Sequence, residues 1–445
     1  MASFPPGPKR VFPGSTFLRF RRNPLSFLER MAREFGDISY LKLGRENIFL
    51  LNHPDLIRDV LVTHHKNFTK GRAFARTRKL LGEGLLTSEG DFHRRQRRMI
   101  QPAFHPQRIA SFAGAMSRYA ERTGSRWHDG AKREVVHEMM RLTLEIVGET
   151  LFSVDLESDA SEVGKALTAT MESLSAMMLL PFAEILEKLP LPAVRRMNAC
   201  RVQLDEIVYR LIDERRASGK ERDDLLQMLL DAQDEEDSTA RMTDEQVRDE
   251  AMTIVLAGQL TTANALSWTW FLLSRHQEVE RRLHEELDQV LDGRLPAFAD
   301  IHALRYTEKI IRESLRLYPP AWMTARRAID DYEIGGYVVP ARSIVTVSQY
   351  VMHRDARYFP EPLLFDPDRW TLEFKAALPK YAYFPFGGGP RGCIGESFAW
   401  MELILVVATL AQQWKLRLDP RHPVVAQPLI TLRPKHGLSM TVIRR

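Results

Sequence analysis

Apolar positions recur along the chain with two periods. Leu25, Leu28, Met31, Ala32 and Phe35 mark one face of a helix over 24–35. Residues 38–52 instead read as a pair of strands, 38–43 and 48–51, joined by a turn over 44–47. A short helix over 54–63 follows, and 71–90 reads as loop because Gly82, Gly84 and Gly90 break any period. Residues 106–230 are mostly helical in pattern, interrupted at Gly130, Pro181, Pro190 and Pro192, with a Met- and Leu-rich part over 171–185 whose plain explanation is core packing. An acidic, turn-rich connector covers 231–241. Thr243-Asp244-Glu245-Gln246 then has the form of a capping box and predicts a helix that runs without proline to about His276, roughly 50 Å. Residues 333–340 and 343–347 predict a hairpin, turning at Gly335 and Gly336, and a strand. A last apolar helical pattern begins near Ile394 and continues through Phe398, Met401, Leu405 and Leu410. The fold class is therefore mainly α with a small β-rich subdomain. The β-rich part covers about 36–64 and 320–350 plus the C-terminal strands, and the helical part about 91–318 and 393–414. With no linker in view, 1–445 reads as one domain.

Composition narrows the function classes. At 44% hydrophobic residues, 445 residues can bury a large core. With 63 basic against 58 acidic residues the net charge of +5 is mildly basic and gives no reason to expect a nucleic-acid partner. The densest basic run, His93 to Arg98, reads as a solvated helix face. Only Cys200 and Cys393 are cysteines, which excludes a disulfide framework and suits a reducing cytoplasm. No stretch reaches 18 apolar residues, and 1–14 lacks the apolar core of a signal peptide, so a soluble cytoplasmic protein without a membrane anchor is expected.

The candidate chemistry centres on Phe386-Gly387-Gly388-Gly389-Pro390-Arg391-Gly392-Cys393-Ile394-Gly395. It sets a cysteine in a glycine-rich loop just ahead of an apolar helix, where unpaired N–H groups and the helix dipole favour a thiolate, an iron ligand. The glycines let backbone turn close to a flat ring, and Arg391 suits an acidic group on it. Gly387, Gly389 and Gly392 also satisfy G-x-G-x-x-G, but Glu396 and Glu402 come too early for the acidic residue a dinucleotide turn needs about 20 positions on. A third reading leaves Cys393 as an inert thiol.

Phe386, Gly389, Arg391, Cys393 and Gly395 stand at the spacing F-x-x-G-x-R-x-C-x-G, which resembles the haem-binding loop of the cytochrome P450 family. Three further motifs follow that family's order, so the resemblance covers almost the whole chain. It implies haem b with Cys393 as axial ligand to the iron, and Phe386, Gly387, Arg391 and Gly395 as cofactor-binding residues. His93 and Arg97, at i and i+4, match the pair that holds the haem propionates, as does Arg326, whose neighbour Arg327 competes for that register. Ala257-Gly258-Gln259-Leu260-Thr261-Thr262 resembles the oxygen-activation motif [A/G]-G-x-[D/E]-T-[T/S]. Thr261 takes the threonine's role, Ala257 shares its face, and Gly258 would allow a local widening of the helix. Leu260 stands where a carboxylate normally relays protons and can carry none. Slowed or uncoupled oxygen chemistry, or peroxide use, would follow. Glu313, Arg316 and Arg369 match the family's structural Glu-Arg-Arg network. The pocket would be lined by Phe74, Leu80, Leu85, Met177, Phe182, Ala257, Trp322, Met323, Leu429 and Ile430. Arg342 stands where a glycine is usual.

The implied activity is insertion of one oxygen atom from O2 into an apolar organic substrate, by hydroxylation or epoxidation. Residues 89–105 look most like bacterial branches that oxidise fatty acids, alkanes and terpenoids. No second cysteine cluster exists, so electrons from NAD(P)H would arrive through a separate ferredoxin or flavodoxin with its reductase, to a monomer. A haem-binding or sensing protein without turnover is the reading from another class that Leu260 permits.

Overall fold

A computed structural model of the chain describes residues 4–9, 12, 14–71, 77–78, 81–154, 192–219, 222, 224–233 and 241–445. The chain forms two compact units, Met1–Ala75 with Arg312–Cys393, and Arg76–Ile311 with Ile394–Arg445. The strands are, in chain order, β1 (Ile38–Leu43), β2 (Glu46–Leu51), β3 (Phe68–Thr69), β4 (Lys132–Glu134), β5 (Thr324–Ala328) and β6 (Tyr332–Ile334). After them come β7 (Tyr337–Val339), β8 (Ile344–Val347), β9 (Trp414–Leu418), β10 (Ala426–Pro428), β11 (Leu432–Pro434) and β12 (Ser439–Arg444).

The first unit is built on a five-stranded sheet of order β1-β2-β8-β5-β3. Its interior strand β2 lies antiparallel to β1 and parallel to the central strand β8, with Ile48 opposite Ile344 and Leu51 opposite Val347. That interior place explains why Phe49, Leu50 and Leu51 form an unbroken apolar run and are all fully buried. The predicted helix is Pro24–Phe35, started by Pro24 and by the Asn23 side chain, which accepts from the Ser26 N–H, and ended at Gly36 with φ 79°. The predicted hairpin is β6–β7, where Gly335 (φ 56°) and Gly336 (φ 79°) occupy the two left-handed positions of a tight turn. The short helix predicted over 54–63 is two: Pro54–Arg58 is α-helical and Asp59–Thr63 continues as a π-helical turn.

The second unit is organised on the helix Asp244–Arg275, hereafter the long helix. Its capping box closes as predicted: Gln246 N–H donates to Thr243 Oγ1 at 3.2 Å, and Thr243 N–H to Gln246 Oε1 at 3.0 Å. It packs along the buried helix Val135–Phe152, where the Thr143 hydroxyl donates to the Gln259 carbonyl and Gln259 Nε2 to the Met140 carbonyl. The C-terminal helix is Glu396–Ala411, apolar nearly all round and correspondingly buried from Met401 to Ala411. Two small sheets complete the unit, β4-β12-β9 and β10-β11. β4 has the sequence Lys-Arg-Glu, which carries no strand pattern. It exists because β12 supplies the pairing, Ser439 opposite Glu134.

Candidate active site

In the first unit the 386–393 loop is fixed by its backbone. Gly387 N–H donates to the Phe384 carbonyl, Gly392 N–H to Gly389, and Cys393 N–H to Phe386, all at 2.9 Å. Gly387 (φ 74°) and Gly389 (φ 68°) are left-handed, and a Cβ on Gly389 would overlap the Leu61 carbonyl oxygen of the π-helical turn. The loop thus lies against backbone where only glycine fits, and it ends with the Cys393 thiol exposed and not in a disulfide. Phe386, Gly387 and Arg391 are half-buried. Phe384 N–H donates to Nε2 of the fully buried His353, whose charging is strongly disfavoured by that burial and by the nearby Arg316 and Arg354.

His353 leads to the carboxylate of Glu313. Arg316 meets it bidentately, Nε to Oε2 and Nη2 to Oε1, both at 2.8 Å, while Arg369 Nε (2.8 Å), Trp370 Nε1 (2.9 Å) and the Asp366 N–H (3.0 Å) converge on the same two oxygens. Arg316 Nη1 donates to the His353 and Pro362 carbonyls. Glu313 and Arg316 are fully buried, and every donor named is charged or fixed, so the three residues expected as a network meet at one point. Arg326 lies on β5, and strand alternation sends it to the face opposite Arg327, which pairs with Glu46 at 3.6 Å. Trp322 is buried, with its carbonyl accepting from Ser348 Oγ, and Met323 is half-buried. Arg342 has φ 67°, so its place before β8 is one a glycine would fill without strain.

In the second unit the long helix is buried on either side of one window. Ala257 is exposed and Gly258 and Thr261 half-exposed, although Leu256, Gln259 and Leu260 beside them are buried. The Thr261 hydroxyl donates to the Ala257 carbonyl at 2.6 Å, leaving its lone pairs to accept. The helix is α-helical throughout 244–275, so the widening expected at Gly258 is absent. The glycine instead permits close packing: a Cβ there would stand 3.3 Å from Val147. Loops are pinned at both ends of the window. Toward the N-terminus, the turn carrying Leu85 is held by Asp249 and Glu250. Toward the C-terminus, Asn264 Nδ2 donates to Thr431 Oγ1 at 3.1 Å, tying down the turn that carries the half-buried Leu429 and the more exposed Ile430.

The basic run is the helix Gly90–Ile100, and it is not a solvated face throughout. His93 and Gln96 are buried, Arg97 is half-buried, and Ser88 Oγ lies 3.2 Å from His93 Nδ1. The C-terminal helix begins at Glu396 with Gly395 at its cap. It also carries a residue that the apolar pattern concealed. Glu402 is fully buried, and its pKa is pushed up to about 8 by desolvation, opposed by the Thr262 hydroxyl beside it. Among the described residues neither of its carboxyl oxygens has a well-aligned donor. Nothing in the sequence assigns a site role to Glu402, His353, Asp249 or Glu250; only Glu402 carries a signal, an acid inside an apolar run. Phe74, Leu80, Met177 and Phe182 lie outside the described residues.

The residues of the first unit fit an iron-bearing group: an exposed soft sulfur donor ends a loop locked by left-handed glycines. In the second unit the long helix carries small side chains that are exposed or half-exposed at Ala257, Gly258 and Thr261. The described helices include none long and apolar enough to cross a membrane.

The cytochrome P450 family model matches residues 5–440. Cyclooctatin synthase of Streptomyces melanosporofaciens is 40% identical over 417 residues, 93% of this chain and 90% of that protein. Cyclooctat-9-en-7-ol 5-monooxygenase of the same organism is 38% identical over 92% of this chain and 88% of its own length. The solved heme domain of cytochrome P450DA superposes with a TM-score of 0.90 at 27% identity, covering 100% of this chain and 98% of that one.

Proposed function

Because the chain belongs to the cytochrome P450 family and is a monooxygenase of that fold, we propose that it hydroxylates or epoxidises an apolar terpenoid-like or similar lipid-like molecule, as a single domain over 1–445. The relatives named for cyclooctatin and cyclooctat-9-en-7-ol support a terpenoid before a fatty acid. Haem b is the cofactor the family implies, and when bound it supplies oxygen activation. Cys393 would hold its iron through sulfur, with Phe386, Gly387, Arg391 and Gly395 around it. His93, Arg97 and Arg326 would hold its carboxylates, the pairing of Arg327 with Glu46 favouring Arg326 in that register.

The chain's own residues then divide the work. Arg316 and Arg369, both fixed by Glu313, hold the backbone carbonyls at 353, 360, 362 and 364, and His353 carries that rigidity to Phe384 at the start of the cysteine loop. Thr261, its proton directed to the Ala257 carbonyl, accepts a hydrogen bond over the bare strip of helix and so orders a water or donor there. Apolar side chains at Leu85, Met323, Leu429 and Ile430 exclude water and orient substrate. Electrons come from NAD(P)H through a ferredoxin or flavodoxin and its reductase, to a cytoplasmic monomer.

The observation that carries this reading is the exposed Cys393 thiol at the end of its locked loop. Absorption spectra of the reduced protein under carbon monoxide, for the parent and Cys393→Ala, test it. A long-wavelength Soret band in the parent, absent in the variant, is expected; an imidazole-type band unchanged by the substitution would remove Cys393 as ligand.

A second reading, peroxide-driven oxidation, is favoured by Leu260, which is buried and offers no proton on the threonine's helix. Product formed per reduced cofactor consumed should then rise in Leu260→Glu. An unchanged ratio would mean that proton supply does not limit the reaction, and no product under any oxidant would turn the reading to a haem-binding sensor.

A further inference from the structure

The turn over 82–88 lies flat on the long helix. Gly82 (φ 60°) has no room for a Cβ, which would strike the Asp249 carboxylate, and one on Gly84 would strike Thr253 Oγ1. Two side chains receive the turn's backbone donors: Asp249 Oδ2 accepts from the Glu83 N–H at 2.6 Å, and Glu250 Oε2 from the Leu85 N–H at 2.9 Å. Asp249 is itself braced, its Oδ1 accepting from Arg248 Nη1 at 2.7 Å while Arg248 Nε donates to Asp205 at 2.7 Å. The turn is closed internally by Thr87 Oγ1, which donates to the Gly82 and Gly84 carbonyls, and by Arg78 Nη2, which donates to the Thr87 carbonyl. Glu250 is fully buried and Asp249 nearly so. Placing two carboxylates in the interior is expensive, and charge-assisted bonds to backbone N–H groups are what offset it.

Asp249, Thr253, Ala257 and Thr261 follow one another at four-residue intervals, hence along one stripe of the long helix. The turn covers the first two, and the stripe is bare at the next. One helical turn, about 6 Å at 1.5 Å per residue, separates the Thr253 that Gly84 touches from Ala257.

We propose that Asp249 and Glu250 are positioning residues that clasp the 82–88 turn to the long helix and so fix Leu85 as a rigid wall at the edge of the substrate space. This rests on the bare strip around Ala257 and Thr261 being the oxygen-side face of the haem pocket. The wall then selects bound molecules by size rather than adapting to them.

The test uses the holoenzyme with Glu250→Ala, Glu250→Gln and Gly82→Ala. Gln retains an acceptor for the Leu85 N–H; Ala does not. Optical titrations with imidazole and 4-phenylimidazole compare a ligand that needs only iron with one that also needs the wall, and hydrogen exchange follows the amides of 83–88. In Glu250→Ala and Gly82→Ala, exchange there should quicken about tenfold, the equivalent of one lost hydrogen bond to a charged group. 4-Phenylimidazole should weaken by about the same factor while imidazole stays within about twofold. Glu250→Gln should behave as the parent. Unchanged exchange in both disrupting variants would overturn the clasp, and faster exchange with an unchanged ratio of the two affinities would overturn its positioning role. If the parent shows no azole-induced band shift, the haem reading fails, and exchange alone still decides the clasp.

Discussion

Glu402 sits where a carboxylate is hardest to ionise: fully buried, with a pKa raised from 4.5 to about 8 by desolvation. An unfolded chain releases this proton at much lower pH. The stability that the neutral carboxyl contributes is therefore fully present below about pH 4.5 and is lost as pH rises through 8. Glu402→Gln keeps the shape and cannot ionise, so its advantage over the parent should grow from ~1 kcal/mol at pH 5 to ~3 kcal/mol or more at pH 8. Denaturant unfolding at the two pH values measures this, and an equal difference at both would mean that the carboxyl is ionised in the fold. This residue was hardly legible beforehand, since Trp400-Met401-Glu402-Leu403-Ile404 differs from a plain apolar helix by one letter. Arg342 was legible only as an anomaly. Its left-handed backbone, which costs a non-glycine residue ~1–2 kcal/mol, supplies the physical reason that glycine is usual there.

Among elements, the helix Arg305–Leu317 shows why a weak motif can carry a strong structure. Glu and Arg three apart describe many surface pairs worth a few tenths of a kcal/mol. Here the pair is buried, and Glu313 takes five donors, three of them from 366–370. Removing its charge leaves Arg316 and Arg369 facing carbonyls alone. Glu313→Gln should lose about 3–5 kcal/mol, read as a fall in the guanidinium midpoint, and a midpoint equal to the parent's would show that the carbonyls suffice. The local sequence anticipated elements whose residues decide their own shape: Pro24–Phe35, the Gly335–Gly336 hairpin and the capped start of the long helix. It did not anticipate β4, which a partner strand creates, or the π-helical turn at Asp59–Thr63, against which Gly389 packs. β4 depends on chain hundreds of residues distant, and the π-helical turn packs against chain just as remote.

At the scale of the whole molecule, each compact unit is assembled from two separate stretches of sequence, which is why no linker shows in the composition. The mainly α class with a small β-rich part was readable from periodicity, because long amphipathic segments dominate the chain. The interleaving was not, because periodicity reports a residue's neighbours and not its distant partners. That arrangement sets a timetable. β2 is made early, yet the strand that covers its second edge, β8, begins about 300 residues later, ~15–60 s at ribosomal rates of 5–20 residues per second. Through that interval Ile48-Phe49-Leu50-Leu51 is an apolar strand with one open edge, the kind of segment that pairs with other chains. The parallel pairing of β2 with β8 thus leads to the expectation that guarding this edge during synthesis, by co-expressed chaperones, raises the soluble yield, and an unchanged yield would mean that the open edge is harmless.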